Sequence, residues 1–267
     1  MPCLRAGTYS IQNSHFVRPL MKYFTISPAN TPEHHGLPWP KLIKGTLIKR
    51  YKRFMADVLL SSSGEIVTAH CPNSGSMKTC CDPGRPVYIS ESSNPARRLR
   101  YTWELIEMPT SLVGVNTSVP NRLVKESVLN GVIPEFREYE TVRAEVPCGS
   151  DSRLDLMLER LNNRCFIEIK NCTLIEGTTA CFPDAITARG LKHLVMLQEL
   201  VGSGDRAVIF FLVQRSDATE FKPADHIDPQ YGRELRSAIA NGVEVFCYDV
   251  TISLANIALN KRIPVVL

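Results

Sequence analysis

The segment Cys165 to Leu174 reads CFIEIKNCTL, and two charges stand inside an otherwise apolar strand. Side chains alternate between the two faces of an extended strand. Phe166, Glu168 and Lys170 then share one face, and Ile167 and Ile169 the other. A lone Glu-x-Lys on a strand is usually a same-face salt bridge on a wetted surface. Here the flanking residues are apolar, which argues against a fully wet face. A second acid has a similar setting: Asp155 lies in LDLML, with Leu154 and Leu156 expected on the opposite face. A buried acid is costly without a partner or a metal. If the two strands are neighbours, Asp155 and Glu168 converge. Two carboxylates beside an ammonium are the ingredients of a magnesium or manganese site. Such a cation polarises a phosphoryl oxygen and acidifies water. Lys170 would orient or deprotonate that water, or neutralise charge in the transition state.

Phosphate-binding groups stand near these acids in sequence. FPDAITARGLKHL predicts a helix running through Leu200, with Pro183 directly before an Asp184 N-cap. Arg189, Lys192 and His193 fall at i, i+3 and i+4, on one helical face. Arg153, two residues before Asp155, points the same way as that acid and either contacts phosphate or pairs with it.

The elements that must position these groups follow from the local pattern. LIKGTLIKRY, RFMADVLL, EIVTAH, PVYIS and RYTWELIEM are short strands bounded by turn residues, which predicts a small antiparallel, OB-like β-barrel over residues 39–116. After NTSVPN the pattern becomes mixed. A helix with Asn121 as N-cap and Gly131 as stop is followed by three strands, then helix, strand, helix, strand. That order predicts an α/β domain with a central mixed sheet over residues 117–267. Residues 1–38 show neither period and are expected to be a poorly ordered extension.

Charge favours a polyanion partner for the barrel. Residues 39–115 carry eleven Lys and Arg against six Asp and Glu, within a chain of net charge +4. Lys49, Arg50, Tyr51 and Arg53 interleave cations with an aromatic ring, and Arg97, Arg98, Tyr101 and Trp103 repeat the theme. Cations meet phosphates and rings stack on exposed bases. The nine cysteines include no C-x-x-C pair and read as reduced thiols. No apolar run is long enough to span a membrane, and no secretory leader is recognisable. A cytoplasmic protein is expected, with DNA as partner, RNA and a homodimer left open, and no membrane contact.

Asp155 followed by Glu168-Ile169-Lys170, on strands after a helix, resembles the PD-(D/E)xK nuclease core. The resemblance implies metal ligation by Asp155, Glu168 and the Ile169 carbonyl, catalysis by Asp155, Glu168 and Lys170, and an accessory role for Glu126 on the preceding helix. From Leu42 onward the chain also resembles the sugar fermentation stimulation protein A family, through IKRYKRFMADV, HCPNSGSM, SNPARRLRYTWEL, VGVNT, PNRLVKE, EVPCGSDSRLDLML, EIKNCTL, FPDAITARGLKHL and FFLVQR. Ser74 stands where that family often has threonine, which keeps the hydroxyl. The resemblance implies an OB-like barrel joined to a nuclease-like domain, and DNA binding linked to regulation of sugar (maltose) metabolism. Two functions compete: a metal-dependent nuclease, and a non-catalytic, largely non-specific DNA-binding regulator that keeps the fold as a platform. Retention of the Asp, the Glu and the Lys together favours the first.

Overall fold

The computed structural model describes residues 24–25, 36–149 and 152–267. Two short strands come first, β1 (Phe24–Thr25) and β2 (Leu37–Pro38). Then β3 (Leu42–Tyr51), β4 (Met55–Leu60), β5 (Ile66–His70), β6 (Pro86–Glu91), β7 (Tyr101–Glu107) and β8 (Leu112–Gly114) form one sheet in the order β5-β4-β3-β6-β7-β8. β5 also pairs in parallel with β7, Ala69 with Tyr101 and His70 with Thr102. That pairing closes five strands into the expected OB barrel and removes its open edges. Leu47, Val58, Val67, Val87, Ile89, Trp103 and Ile106 fill it. Trp103, expected to face bases, is fully buried, and its Nε1 donates to the Leu105 carbonyl at 2.9 Å. A ring that large gains more from the barrel core than from solvent, and its one polar atom finds a partner there.

The second domain comprises α1 (Val119–Leu129), β9 (Thr141–Cys148), β10 (Ser152–Arg160), β11 (Asn163–Cys172), β12 (Leu174–Glu176), β13 (Thr179–Phe182), α2 (Ala188–Gly202), β14 (Arg206–Val213), β15 (Glu220–Pro223), α3 (Pro229–Ala240), β16 (Glu244–Ile252) and β17 (Asn256–Arg262). Its central sheet is mixed, ordered β1-β9-β10-β11-β14-β16-β17-β2. β11, β14 and β16 run parallel, while β9–β10–β11 and β16–β17–β2 are antiparallel. Leu123, Val124 and Val128 of α1 cover one face, packing on Ile167, Ile169 and Val208. Leu194 and Leu197 of α2, with Tyr231 and Leu235 of α3, cover the other, packing on Phe166, Ile209 and Phe211. Fully burying each such side chain stabilises the fold by about 1.5–3 kcal/mol. β12, β13 and β15 form a separate three-stranded sheet, which the sequence pattern did not disclose.

Several boundaries differ from expectation. Leu37 and Pro38, assigned to a disordered extension, pair with Ile257 and Asn256, and Phe24 and Thr25 pair with Val142 and Thr141. They dock on the two open edges of the central sheet, where unpaired backbone groups seek partners. The rest of the extension, residues 1–23 and 26–35, lies outside the described residues. α1 starts at Val119, with Ser118 in the cap position and Pro120 in the first turn, so Asn121 is not its cap. α2 starts at Ala188 rather than after Pro183. Thr187 caps it, its hydroxyl accepting from Gly190 N at 3.0 Å. Asp184 instead crosses to the barrel, where its Oδ2 accepts from Met77 N at 3.1 Å.

Candidate active site

The register of β10 and β11 sets the site. Their pairing runs from Arg160 with Asn163 to Leu156 with Ile167, and Asp155 follows directly, close enough for the Glu168 charge to act on it. The alternation of β10 slips at this point. Leu154 packs in the core beneath α2, while Leu156 packs in the core beneath α1. The two leucines therefore do not share a face, as simple alternation had implied. The slip lies between the pairs Leu154–Val146 and Leu156–Ala144, where the intervening β9 residue, Glu145, has φ +53°. Freed from the alternation, the Asp155 carboxylate accepts the Ile169 N–H at 2.7 Å through Oδ2 and the Asn121 side-chain amide at 2.6 Å through Oδ1.

Glu168 is 4 % exposed and faces α2. Lys170 Nζ donates to its Oε1 at 2.7 Å and lies 3.2 Å from His193 Nδ1. His193, also buried, contacts the same Oε1 through Nδ1. Arg189 Nε approaches His193 Nε2 at 3.5 Å. The tautomer that satisfies both contacts carries its proton on Nδ1 and donates it to Glu168. Among the described residues Glu168 Oε2 has no hydrogen-bond partner although it is buried, and neither does the hydroxyl of the fully buried Tyr231 on α3.

The two acids are held in opposite states. Burial pushes Asp155 up, the Glu168 charge adds to this, and its pKa reaches about 7 despite the two hydrogen bonds. Burial would raise Glu168 as well, but the His193 and Lys170 contacts outweigh it and hold its carboxyl below the usual range. Carboxylates whose environments separate them in this way mark functional sites.

A cleft of about 820 Å³ reaches the site at His193, which lines it together with Arg153 of β10, Glu145, and Arg189 and Lys192 of α2. The fold thus gathers Asp155, Glu168, Ile169, Lys170, Arg153, Arg189, Lys192 and His193 at one end of the sheet. Glu126 is not among the contacts of Asp155. It lies five residues beyond Asn121, about 140° around α1. Asn121 occupies the place that sequence reasoning gave to Glu126. Pro120 was the available signal: a proline in the first helical turn moves the helix start back and turns Asn121 from a cap into a donor that faces Asp155.

The barrel candidates divide into two groups. Arg98 is exposed, and exposed Arg97 donates to Thr102 Oγ1 at 2.8 Å. Lys49 lies 3.7 Å from Asp57, which also accepts from the Tyr51 hydroxyl at 3.0 Å. Arg50 is turned inward. Its NH2 donates to the Asn73 and Gly75 carbonyls at 2.8 and 2.9 Å, its NH1 to Ser76 at 3.1 Å, and its Nε to Arg53 at 3.0 Å. Its guanidinium is thus committed to the backbone of two loops. Arg53, exposed at the β3–β4 turn, lines a second groove facing the loop before α2. Among the described residues no helix is long and apolar enough to cross a membrane, and eight cysteines are free thiols.

Comparison with known proteins agrees with this architecture. Residues 48–115 match the model of the SfsA N-terminal OB domain, and residues 118–256 that of the sugar fermentation stimulation protein RE domain. A sugar fermentation stimulation protein homolog of Pelobacter propionicus is 54% identical over 228 residues, covering 85% of this chain and 99% of that protein. The homolog of Geobacter sulfurreducens is 55% identical over 229 residues, covering 86% and 97%. Among solved structures, that of Pyrococcus furiosus SfsA in complex with Ca2+ aligns with a TM-score of 0.79 and 25% identity, covering 86% of this chain and 98% of that one. Both domain models and near full-length relatives above half identity leave one assignment: the chain belongs to the sugar fermentation stimulation protein (SfsA) family.

Proposed function

We propose that the protein binds DNA and hydrolyses its phosphodiester bonds with a divalent cation held by Asp155 and Glu168. The observation that carries this reading is the buried Glu168 Oε2, which has no hydrogen-bond partner among the described residues and lies near a second, half-buried carboxylate. An unsatisfied buried carboxylate oxygen is costly, and a cation relieves it. Among the described residues no group of three or more His, Cys, Asp or Glu is arranged around one point. A cation here would therefore have two carboxylates, the Ile169 carbonyl and water, a donor set that suits Mg2+ or Mn2+. The Ca2+ complex of the Pyrococcus furiosus relative supports a hard, oxygen-seeking ion.

When bound, the ion would supply Lewis-acid polarisation of the phosphoryl group and a more acidic water. The chain's own residues do the rest. Lys170 is fixed on Glu168 by a 2.7 Å bond and presents its ammonium to the negative charge that grows on the phosphoryl oxygens. His193 contacts the same Glu168 oxygen and helps keep its carboxyl ionised. Asn121 and the Ile169 amide orient Asp155. Arg153, Arg189 and Lys192 line the cleft and meet flanking phosphates. The free thiols among the described residues fit a reducing, cytoplasmic setting.

The test is to incubate purified protein with single-stranded, double-stranded and branched DNA or RNA in Mg2+ or Mn2+, beside Asp155→Ala and Lys170→Ala. Cleavage by the wild type alone is the expected result. Equal binding by all three proteins, with no product from any substrate, would overturn the enzymatic reading and leave a binding platform.

A further inference from the structure

A second groove, of about 330 Å³, lies where the barrel meets the α/β domain. Arg53, Asn73 and Ser74 line it from the barrel, and Asn171, Phe182 and Ile186 from the other domain. Four of its features point to a ligand. Ile186 is 82 % exposed, on a loop whose neighbour Pro183 is buried. Phe182 offers a ring braced from behind, 5.4 Å from the Phe211 ring and 5.2 Å from Tyr231. Asn73 is 4 % exposed; its Oδ1 accepts from Gly75 N at 2.8 Å, while its Nδ2 has no partner among the described residues. Arg53 sits at the turn with φ +63°, next to Lys52 at +46°. Two successive side-chain-bearing residues in that region are strained, and such strain is often kept where it aims a functional group.

The walls are rigid. The inward Arg50 holds the backbone of Arg53 and of Asn73, Gly75 and Ser76, so one guanidinium ties the two barrel loops of the groove together. Asp184 fastens that loop to the other domain through Met77 N, and a side chain on Gly75 would collide with its carboxylate. Such bracing lowers the ordering cost of binding. The groove also adjoins the catalytic cleft: Thr187 lines one and Ala188, the next residue, lines the other.

We infer that this groove takes one unpaired nucleotide of the strand being cut, its base against Phe182 and Ile186 and its phosphate on Arg53. The volume is at the small end of ligand sites, about 300–1,000 Å³, which suits one nucleotide and excludes a duplex. The amides of Asn73 and Asn171 can hydrogen-bond a base edge or sugar, and apolar faces accept any base. The inference rests on the nucleic-acid reading of the adjoining cleft. It specifies the substrate class: single strands, or forks and flaps with an unpaired nucleotide beside the scissile bond. A fully paired substrate must first unpair and unstack a base, which disfavours it.

The test is fluorescence anisotropy in EDTA, where no cleavage proceeds, with a labelled single-stranded oligonucleotide and the blunt duplex of the same sequence. Ile186→Ala is the first variant, because its exposed side chain is not needed for folding. Its ratio of single-strand to duplex affinity should fall about fivefold, the lower end of base-stacking effects. Arg53→Gly, which relaxes the turn, should lower the salt slope of single-strand binding by about one. An unchanged affinity ratio in Ile186→Ala, or a wild type that binds neither probe, overturns the inference. A protein that shows the expected ratio change but never cleaves fails the proposed function alone.

Discussion

Lys170→Met should lower metal-dependent phosphodiester cleavage by about 10²–10³-fold, the usual cost of removing one preorganised electrostatic group, while affinity for uncleaved DNA stays close to wild type. The ammonium is half-buried between Glu168 and His193 and is aimed by those contacts rather than by solvent. Methionine keeps the length and packing of the chain but cannot carry charge. The loss should therefore fall on kcat, with KM little changed, as expected for a contact made mainly in the transition state. Lys170→Arg keeps the charge but exchanges a compact ammonium for a planar fork, so it should rescue only part of the rate. Single-turnover kinetics on a labelled oligonucleotide separate these outcomes. A rise in KM with kcat unchanged would place Lys170 in ground-state binding instead.

The second large effect is in stability. In the metal-free protein Asp155 holds its proton up to about pH 7, well above the usual carboxylate value of 3.8. The folded state thus binds this proton more tightly than the unfolded chain does. Its contribution is fully present below pH 3.8 and is lost as pH rises through 7. The change is on the order of 4 kcal/mol, at about 1.4 kcal/mol per pH unit. Asp155→Asn removes the titration. The new amide keeps an oxygen for the Ile169 N–H, and Asn121 can rotate its own amide to accept from the new NH2 group. Urea denaturation in EDTA should find the variant more stable than wild type at about pH 8.5, with the difference shrinking as pH falls through 7 and gone only below pH 3.8. Added Mg2+ should stabilise the wild type at the higher pH and leave the variant unchanged. A pH-independent difference would show that Asp155 is not held protonated near neutrality.

The parts of this site that follow strand periodicity were legible in the sequence. Glu168 and Lys170 stand out because charges interrupt an apolar strand, and the adjacency of β10 and β11 then brings Asp155 near them. The slip that frees Asp155 was not legible, because it coincides with a positive φ at Glu145, a residue type that gives no warning of it. Asn121 was hidden by a plausible role as a helix cap. Arg50 looked like a phosphate contact because it lies in a basic run, and only the tertiary placement of loop 73–76 reveals its carbonyl partners. Asp184 was misplaced for the same reason, since its partners lie more than a hundred residues away in the barrel. The strands β1 and β2 have two residues each, too short to show a period. The barrel and the mixed sheet were readable because their cores repeat along whole strands.

The most direct test is titration of the metal-free protein with Mn2+, followed by calorimetry, on wild type and Glu168→Gln. The wild type should bind at one site, with an affinity that falls about tenfold for each pH unit below 7 as Asp155 regains its proton. Glu168→Gln should lose that site. Equal, pH-independent affinity in the two proteins would contradict the claim that Asp155 and Glu168 form a metal-binding catalytic pair.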